Sequence, residues 1–413
     1  MAESAGISRP SGRGTARTHM ALLAALVAIG PFATNAYLPA LPAARAAFDA
    51  TLAQAQATVS LPMLVFALAL VVCGPASDRF GRKAVLLAGV ACFVVGSAVA
   101  MAATSLRLLA AGRAIQLIGG AAGLIVTRAI ISDRYSGARA TRAITALGVV
   151  ALVGHAIAPP LGGYVVVHAG WRPIFAGMCA LGVLLGILVW AILPETAAPA
   201  VQPAQRQSRA GGALTALVST KFVTGALEVA FLYGSFAAFA ALAPHIMLHA
   251  YGGDSAEYGR YYTVVPVGFI VGGLLMLKLR HAVSERTVAI GFCIVTVAPI
   301  VALALAQFGL RHPWAFFLPI ACVCFGHSLV LPNVSVRTVS QVPERAGTAW
   351  GVLTFTQHFT AALAVQVTSG LPTRSPVPLL AILTAVGACI GALHWLCRGR
   401  VAAPAPSSNC DSP

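Results

Sequence analysis

The chain has 413 residues, 58% of them hydrophobic and only 9% charged, with a formal net charge of +16. A soluble domain carries roughly a quarter charged residues, so water would not keep this chain dispersed and a bilayer would. The positive excess does not point to nucleic acid, because the basic residues stand singly between apolar runs with no basic face interleaved with aromatics.

A spanning helix needs about 20 mostly apolar residues. Residues 1–19 form a polar, basic tail with Arg9, Arg13 and Arg17, and an apolar run follows from Met20 to about Pro42. That run is too long for a signal-peptide core and long enough to span, so it reads as an uncleaved first helix with a cytoplasmic N-terminus. In chain order the predicted spans are 20–42, 56–77, 84–104, 106–127, 143–167, 173–193, 222–247, 259–279, 287–308, 314–335, 347–370 and 376–397. Most connections are very short, which makes successive helices antiparallel neighbours.

Charge sets the predicted topology. With the N-terminus inside, twenty Lys and Arg residues fall on inner segments, including Arg79, Arg82, Lys83, Arg128, Arg134, Lys278, Arg337 and Arg398. Six fall outside (Arg45, Arg107, Arg172, Arg260, Arg311 and Arg374), and Arg113 lies within a span. Cytoplasmic loops carry the Lys/Arg excess, so both termini are expected inside. The Ala/Arg bias suggests a bacterial source, and hence a multi-pass protein of the inner (cytoplasmic) membrane.

The polar stretch 197–221, with Arg206 and Arg209, is the expected cytoplasmic linker between a six-helix bundle at 20–196 and another at 222–397; residues 398–413 form a cytoplasmic tail. The halves echo each other weakly. Leu38-Pro39 is answered by Ala243-Pro244, and Gly74 with its basic loop by Gly273 and Lys278-Leu279-Arg280. Related halves are a common transporter plan.

The nine cysteines are odd in number and irregular in spacing, which implies no disulfide framework. Cys322 and Cys324 lack partners at metal-ligand spacing, and neither a nucleophile elbow nor a phosphate loop is present. No metal, cofactor or enzymatic activity is expected.

The most informative stretch is Gly74-Pro75-Ala76-Ser77-Asp78-Arg79-Phe80-Gly81-Arg82-Lys83. Gly74 permits close helix approach, Gly81 a tight turn, Asp78 supplies a carboxylate at the membrane edge, and Arg79, Arg82 and Lys83 hold the loop inside. The string resembles the signature loop of the major facilitator superfamily, in the form carried by drug–proton antiporters of the bicyclomycin- and chloramphenicol-resistance type. Ala76 stands where Leu is usual. The resemblance implies that Asp78 latches the two halves near Gly347-Thr348-Ala349. It also identifies Arg113 and Gln116, followed by Gly119-Gly120, with the family's helix 4 motif, in which Arg and Gln are buried near the translocation path. Pro159, Gly162 and Gly163 resemble its antiporter motif, a glycine seam between helices. Leu193-Pro194-Glu195-Thr196 and Pro332-Asn333 look like the family's punctuation. One departure is chemical: where relatives carry an aspartate in helix 1, this chain reads Thr34-Asn35-Ala36-Tyr37, and an amide takes up no proton.

A charge within the bilayer costs about 2.5–3.5 kcal/mol on insertion scales, so it faces a cavity or a partner. Of eleven Asp and Glu, only Glu228 falls clearly inside a predicted span, on a face shared with Thr224 and Ser235. It is the expected proton-coupling residue, on an inward-facing polar wall, with pairing to a neighbouring helix as the structural alternative. Arg113 is the second embedded charge and is expected to bond with Gln116. His155, His327 and His358 are fallback proton sites. Thr34, Asn35, Tyr37, Tyr233, Asn333 and Gln357 are candidate substrate contacts, or else bonds between helices.

The expected protein is therefore all-α, twelve membrane helices in two pseudo-symmetric six-helix bundles, the major facilitator fold. Its expected work is proton-coupled efflux of a small organic compound by alternating access, as a monomer whose partners are the substrate, protons and the bilayer. Metabolite export or uptake on the same fold is the alternative, ahead of a polytopic enzyme or a channel.

Overall fold

The computed structural model describes residues 13–135, 137–195, 219–278, 285–342 and 346–399. The tails, with Arg9, and most of the expected linker, with Arg206 and Arg209, lie outside these. So do Thr196, Arg280 and Arg345.

Among the described residues the structure is helical, without strands. Helix α1 is Arg13–Tyr37, α2 Leu52–Phe80, α3 Arg82–Met101, α4 Leu106–Arg134, α5 Gly137–Ala169 and α6 Arg172–Ile192. The second half holds α7 Thr220–Tyr251, α8 in two pieces (Ser255–Tyr262 and Val264–Lys278), α9 Glu285–Gln307, α10 Trp314–Val339, α11 Ala346–Thr368 and α12 Val377–Gly399. Ten of these positions carry helices long and apolar enough to cross a membrane, and α5 and α11 occupy the other two predicted spans. The protein crosses the bilayer many times. Trp190, Val72 and Leu396 are 70%, 64% and 71% exposed, apolar surface that lipid covers and water would not.

Prolines interrupt two spans. Pro39 and Pro42 lack the amide hydrogen that would continue α1, and the chain tightens there into a 3-10 turn, Leu38–Ala40, before a short helix, Leu41–Ala47. Pro266 has the same effect on α8: its ring opposes the carbonyl of Tyr262, where the first piece ends. Several helices outrun their predicted ends. Helix α4 continues past 127 to Arg134, so Arg128, expected in a loop, is helical; at 1.5 Å per residue α4 is about 43 Å long, more than a hydrocarbon core.

The packing is pseudo-symmetric. In the first half α3 packs on α4 and α6, α4 on α1 and α2, and α1 on α5. Adding six to each number gives the second half: α9 on α10 and α12, α10 on α7 and α8, α7 on α11. The halves meet along α2 against α11 and α5 against α8, which is again one pairing repeated.

Three hydrogen bonds between the halves lie toward the end remote from the Gly74–Lys83 loop. Ser255 donates to the Pro39 carbonyl (2.7 Å), Tyr262 to Asn35 Oδ1 (3.4 Å) and Ser60 to Gln366 Oε1 (3.0 Å). Gly163 adds a fourth approach: a Cβ there would overlap the backbone carbonyl of Ser255. The bundle is thus closed at this end.

Candidate functional site

The α2–α3 junction turns at Gly81, whose φ of +95° is open to glycine and costly for other residues. A Cβ would lie 2.7 Å from a Glu195 carboxylate oxygen. That carboxylate, just beyond α6, accepts from the amides of Arg82 (2.8 Å) and Lys83 (3.1 Å) and so caps α3, where a negative group meets unsatisfied amides and the positive helix end. Lys83 Nζ donates to the Trp190 carbonyl at 2.7 Å. Arg82 gathers the acids: Asp78 lies at 2.6 Å and Asp133 at 3.0 Å. Asp78 was expected to reach the start of α11. Among the described residues it pairs instead within its own loop, with its side chain 45% exposed, as suits halves held together at the opposite end.

Arg113 is fully buried. Its Nε donates to the Thr58 carbonyl at 2.8 Å, and its guanidinium lies 4.0 Å from the centroid of the Tyr37 ring. Tyr37 is itself buried and bonds to the Thr58 hydroxyl at 2.8 Å, so it is committed to this clamp rather than open to a ligand. The expected bond between Arg113 and Gln116 does not form. Gln116 turns the other way, donating to Ser97 (2.8 Å) and to the Met178 sulfur (3.2 Å). The Arg ties α4 to α1 and α2; the Gln ties it to α3 and α6.

In α5 the seam is two-sided. A Cβ on Gly162 would overlap the carbonyl of Ala36 on α1, one on Gly163 would meet α8, and Gly259 of α8 packs on Pro159 and Pro160. One face of the motif binds α5 into its own half, and the next residue binds it to the other half.

Glu228 is 2% exposed, the only buried carboxylate among the described residues. Its oxygens lie 3.1 and 3.2 Å from Nδ1 of His394 on α12, which is also buried, and 3.9 Å from Arg337 at the end of α10. Arg337 also lies 3.5 Å from Glu285, and the His394 ring stacks obliquely on Phe292 with centroids 4.6 Å apart. The expected wall shared with Thr224 and Ser235 gives way to this cluster: Thr224 and Ser235 donate to backbone carbonyls of their own helix. An embedded carboxylate faces a partner, and α12 supplies one in the His394 imidazole. His394 escaped the sequence reading, although it sits inside the predicted span 376–397, which was the available signal.

The other candidates scatter. Thr34, Asn35 and Asn333 donate to carbonyls four residues back on their own helices (3.2, 2.8 and 2.6 Å), and Gln357 is half-buried on α11. His155 turns to the Ala151 carbonyl at 2.8 Å, and His327 is buried beside Phe269. Two of them join groups spanning the halves: Asn35 accepts from Tyr262, and the Tyr233 ring lies 5.0 Å from that of His358 on α11, which lies 4.9 Å from Phe66 on α2.

Comparison with known proteins agrees with this architecture. The bicyclomycin resistance protein homolog of Haemophilus influenzae is 24% identical, over 89% of this chain and 92% of its own. Multidrug resistance protein D of Escherichia coli is 24% identical, over 91% and 94%. The crystal structure of a bacterial homolog of the human lysosomal transporter Spinster, inward-facing and unoccupied, superposes with a TM-score of 0.71 at 15% identity, covering 94% of this chain and 99% of that one. The model of the Major Facilitator Superfamily matches residues 23–365. A membrane transporter rather than an enzyme, this chain belongs to the major facilitator superfamily.

Proposed function

We propose that the protein exports a small organic compound from the bacterial cytoplasm in exchange for protons, with both termini on the cytoplasmic side of the inner membrane. The observation that carries this reading is the Glu228–His394 pair, a carboxylate and an imidazole buried together inside the second half. Asn35 replaces the helix 1 carboxylate, so proton exchange needs a group elsewhere, and this pair holds the one buried carboxylate described. A carboxylate and an imidazole in contact share a proton, and losing it leaves a net negative charge beside Arg337. Movement of that proton down the membrane potential supplies about 2.3 kcal/mol per 100 mV. Arg113, whose other contacts are structural, acts on coupling through the positions of α1 and α2. The loop from Gly74 through Asp78, Arg79, Gly81 and Arg82 to Lys83 is the hinge that rearranges when the closed end opens. The relatives' names for resistance to bicyclomycin and to multiple drugs favour a drug-like cargo.

The test is efflux from cells and uptake into inverted vesicles for a panel of antibiotics, with and without a protonophore. Glu228→Gln should abolish the gradient-driven part at normal surface expression. Undiminished proton-driven transport in that variant would rule the reading out.

A further inference from the structure

Phe66, one of the three rings at the junction of the halves, abuts α4, the helix that carries Arg128. Phe66 is buried, whereas Tyr233 and His358 are half-buried. Nδ1 of His358 lies 2.9 Å from the Thr354 carbonyl, which only accepts, so Nδ1 carries the hydrogen and Nε2 faces the Tyr233 hydroxyl at 3.5 Å. Helix α4 abuts this group, since a Cβ on Gly120 would lie 3.6 Å from the Phe66 ring, and Arg128 stands about two turns further along the same helix, where its charge acts on His358 across the boundary between the halves. It lies fifteen residues beyond Arg113 and, at 3.6 residues per turn, within about 60° of the same stripe. Its side chain is exposed. Among the described residues no carboxylate stands within ion-pair distance of it: Asp78 and Asp133 are on Arg82, Glu228 and Glu285 on Arg337, Glu257 on Arg260.

We infer that this group is a binding site for a planar aromatic compound bearing one negative charge, its ring against Phe66, Tyr233 and His358 and its anionic group on Arg128. The inference rests on the transporter reading above and names the cargo's chemistry. Aromatic side chains favour flat π-systems in offset or edge contacts. A guanidinium without a protein carboxylate matches a carboxylate, sulfonate or phosphate through paired N–H donors, and such charge-assisted bonds are stronger than neutral ones. A neutral ligand leaves that cation without a counter-charge, and a cationic ligand is repelled.

The experiment is equilibrium binding to the full-length protein in nanodiscs, without any gradient. The probes are 1-naphthoate, 1-naphthalenemethanol, 1-naphthylmethylammonium and cyclohexanecarboxylate. The expected result is that 1-naphthoate binds at least about tenfold more tightly than the other three, a factor equal to about 1.4 kcal/mol. Arg128→Gln should erase the preference for the anion and leave 1-naphthalenemethanol unchanged, while Arg128→Lys keeps part of it. His358→Ala should weaken both naphthoate and naphthalenemethanol. Equal binding of the four probes, or an equal loss of all of them in Arg128→Gln, overturns the inference, and the wild-type panel decides it even where a variant fails to fold. Because binding needs no gradient, the two readings fail separately. Charge-selective binding without proton-driven flux sinks proton coupling alone, and proton-driven flux without charge selectivity sinks this inference alone.

Discussion

The Glu228 carboxylate of α7 lies 3.1 Å from Nδ1 of His394 on α12, with both side chains essentially removed from solvent. Among the described residues neither has a polar alternative as near, and Arg337, at 3.9 Å, is 42% exposed. The pair therefore joins two helices of one half and links its interior to the rim through Arg337 and Glu285.

Removing one member leaves the other buried without its partner. His394→Gln retains a hydrogen-bonding group but carries no proton, so proton-driven transport should fall at least tenfold while substrate counterflow persists. The double variant with Glu228→Gln should lose no more than the worse single variant, because the two act as a unit. Additive losses, measured as initial rates in vesicles, would show that the residues work separately.

Gly81 and Glu195 are coupled by space. Gly81→Ala places a side chain at φ +95°, a strain of about 1–3 kcal/mol, and against the Glu195 carboxylate. Glu195→Ala removes a helix cap, a loss of about 1 kcal/mol. Together they should cost less than the sum, since the clash disappears with the carboxylate. Thermal unfolding in detergent of the two single variants and the double variant checks the sign of the coupling.

Gly163→Val should prevent the closed end from forming, because the new side chain meets the carbonyl of Ser255. Disulfide formation in S60C/Q366C, whose native side chains are hydrogen-bonded at 3.0 Å, reports that closure. Its yield should fall severalfold in the presence of Gly163→Val, with transport reduced in parallel. An unchanged yield would place the two helices' contact elsewhere.

Arg113→Lys should not rescue Arg113→Ala. Lysine offers neither the planar stack on Tyr37 nor a donor in the position of Nε, and both variants should lose about 1–2 kcal/mol of stability. Melting that matches wild type in the lysine variant would reduce the site to its charge.

What the sequence determined by itself was the solvent and the plan. Apolar runs separated by basic loops require a membrane and fix helix order, because backbone in hydrocarbon must satisfy its own hydrogen bonds. The Gly74–Lys83 string and the antiporter glycines identified the family, because turns and close approaches depend on particular residues at particular positions. The predicted spans 20–42 and 259–279 run straight through the breaks at Pro39 and Pro266, although proline was the available signal. The partners were not readable. Nothing local told Arg113 to leave Gln116 for Tyr37 and Thr58, or matched Glu228 with a histidine 166 residues away. A helix's period says which residues share a face, but only tertiary packing decides which neighbouring helix that face meets. In a membrane, where all helices are apolar outside, the few polar groups find one another by that packing.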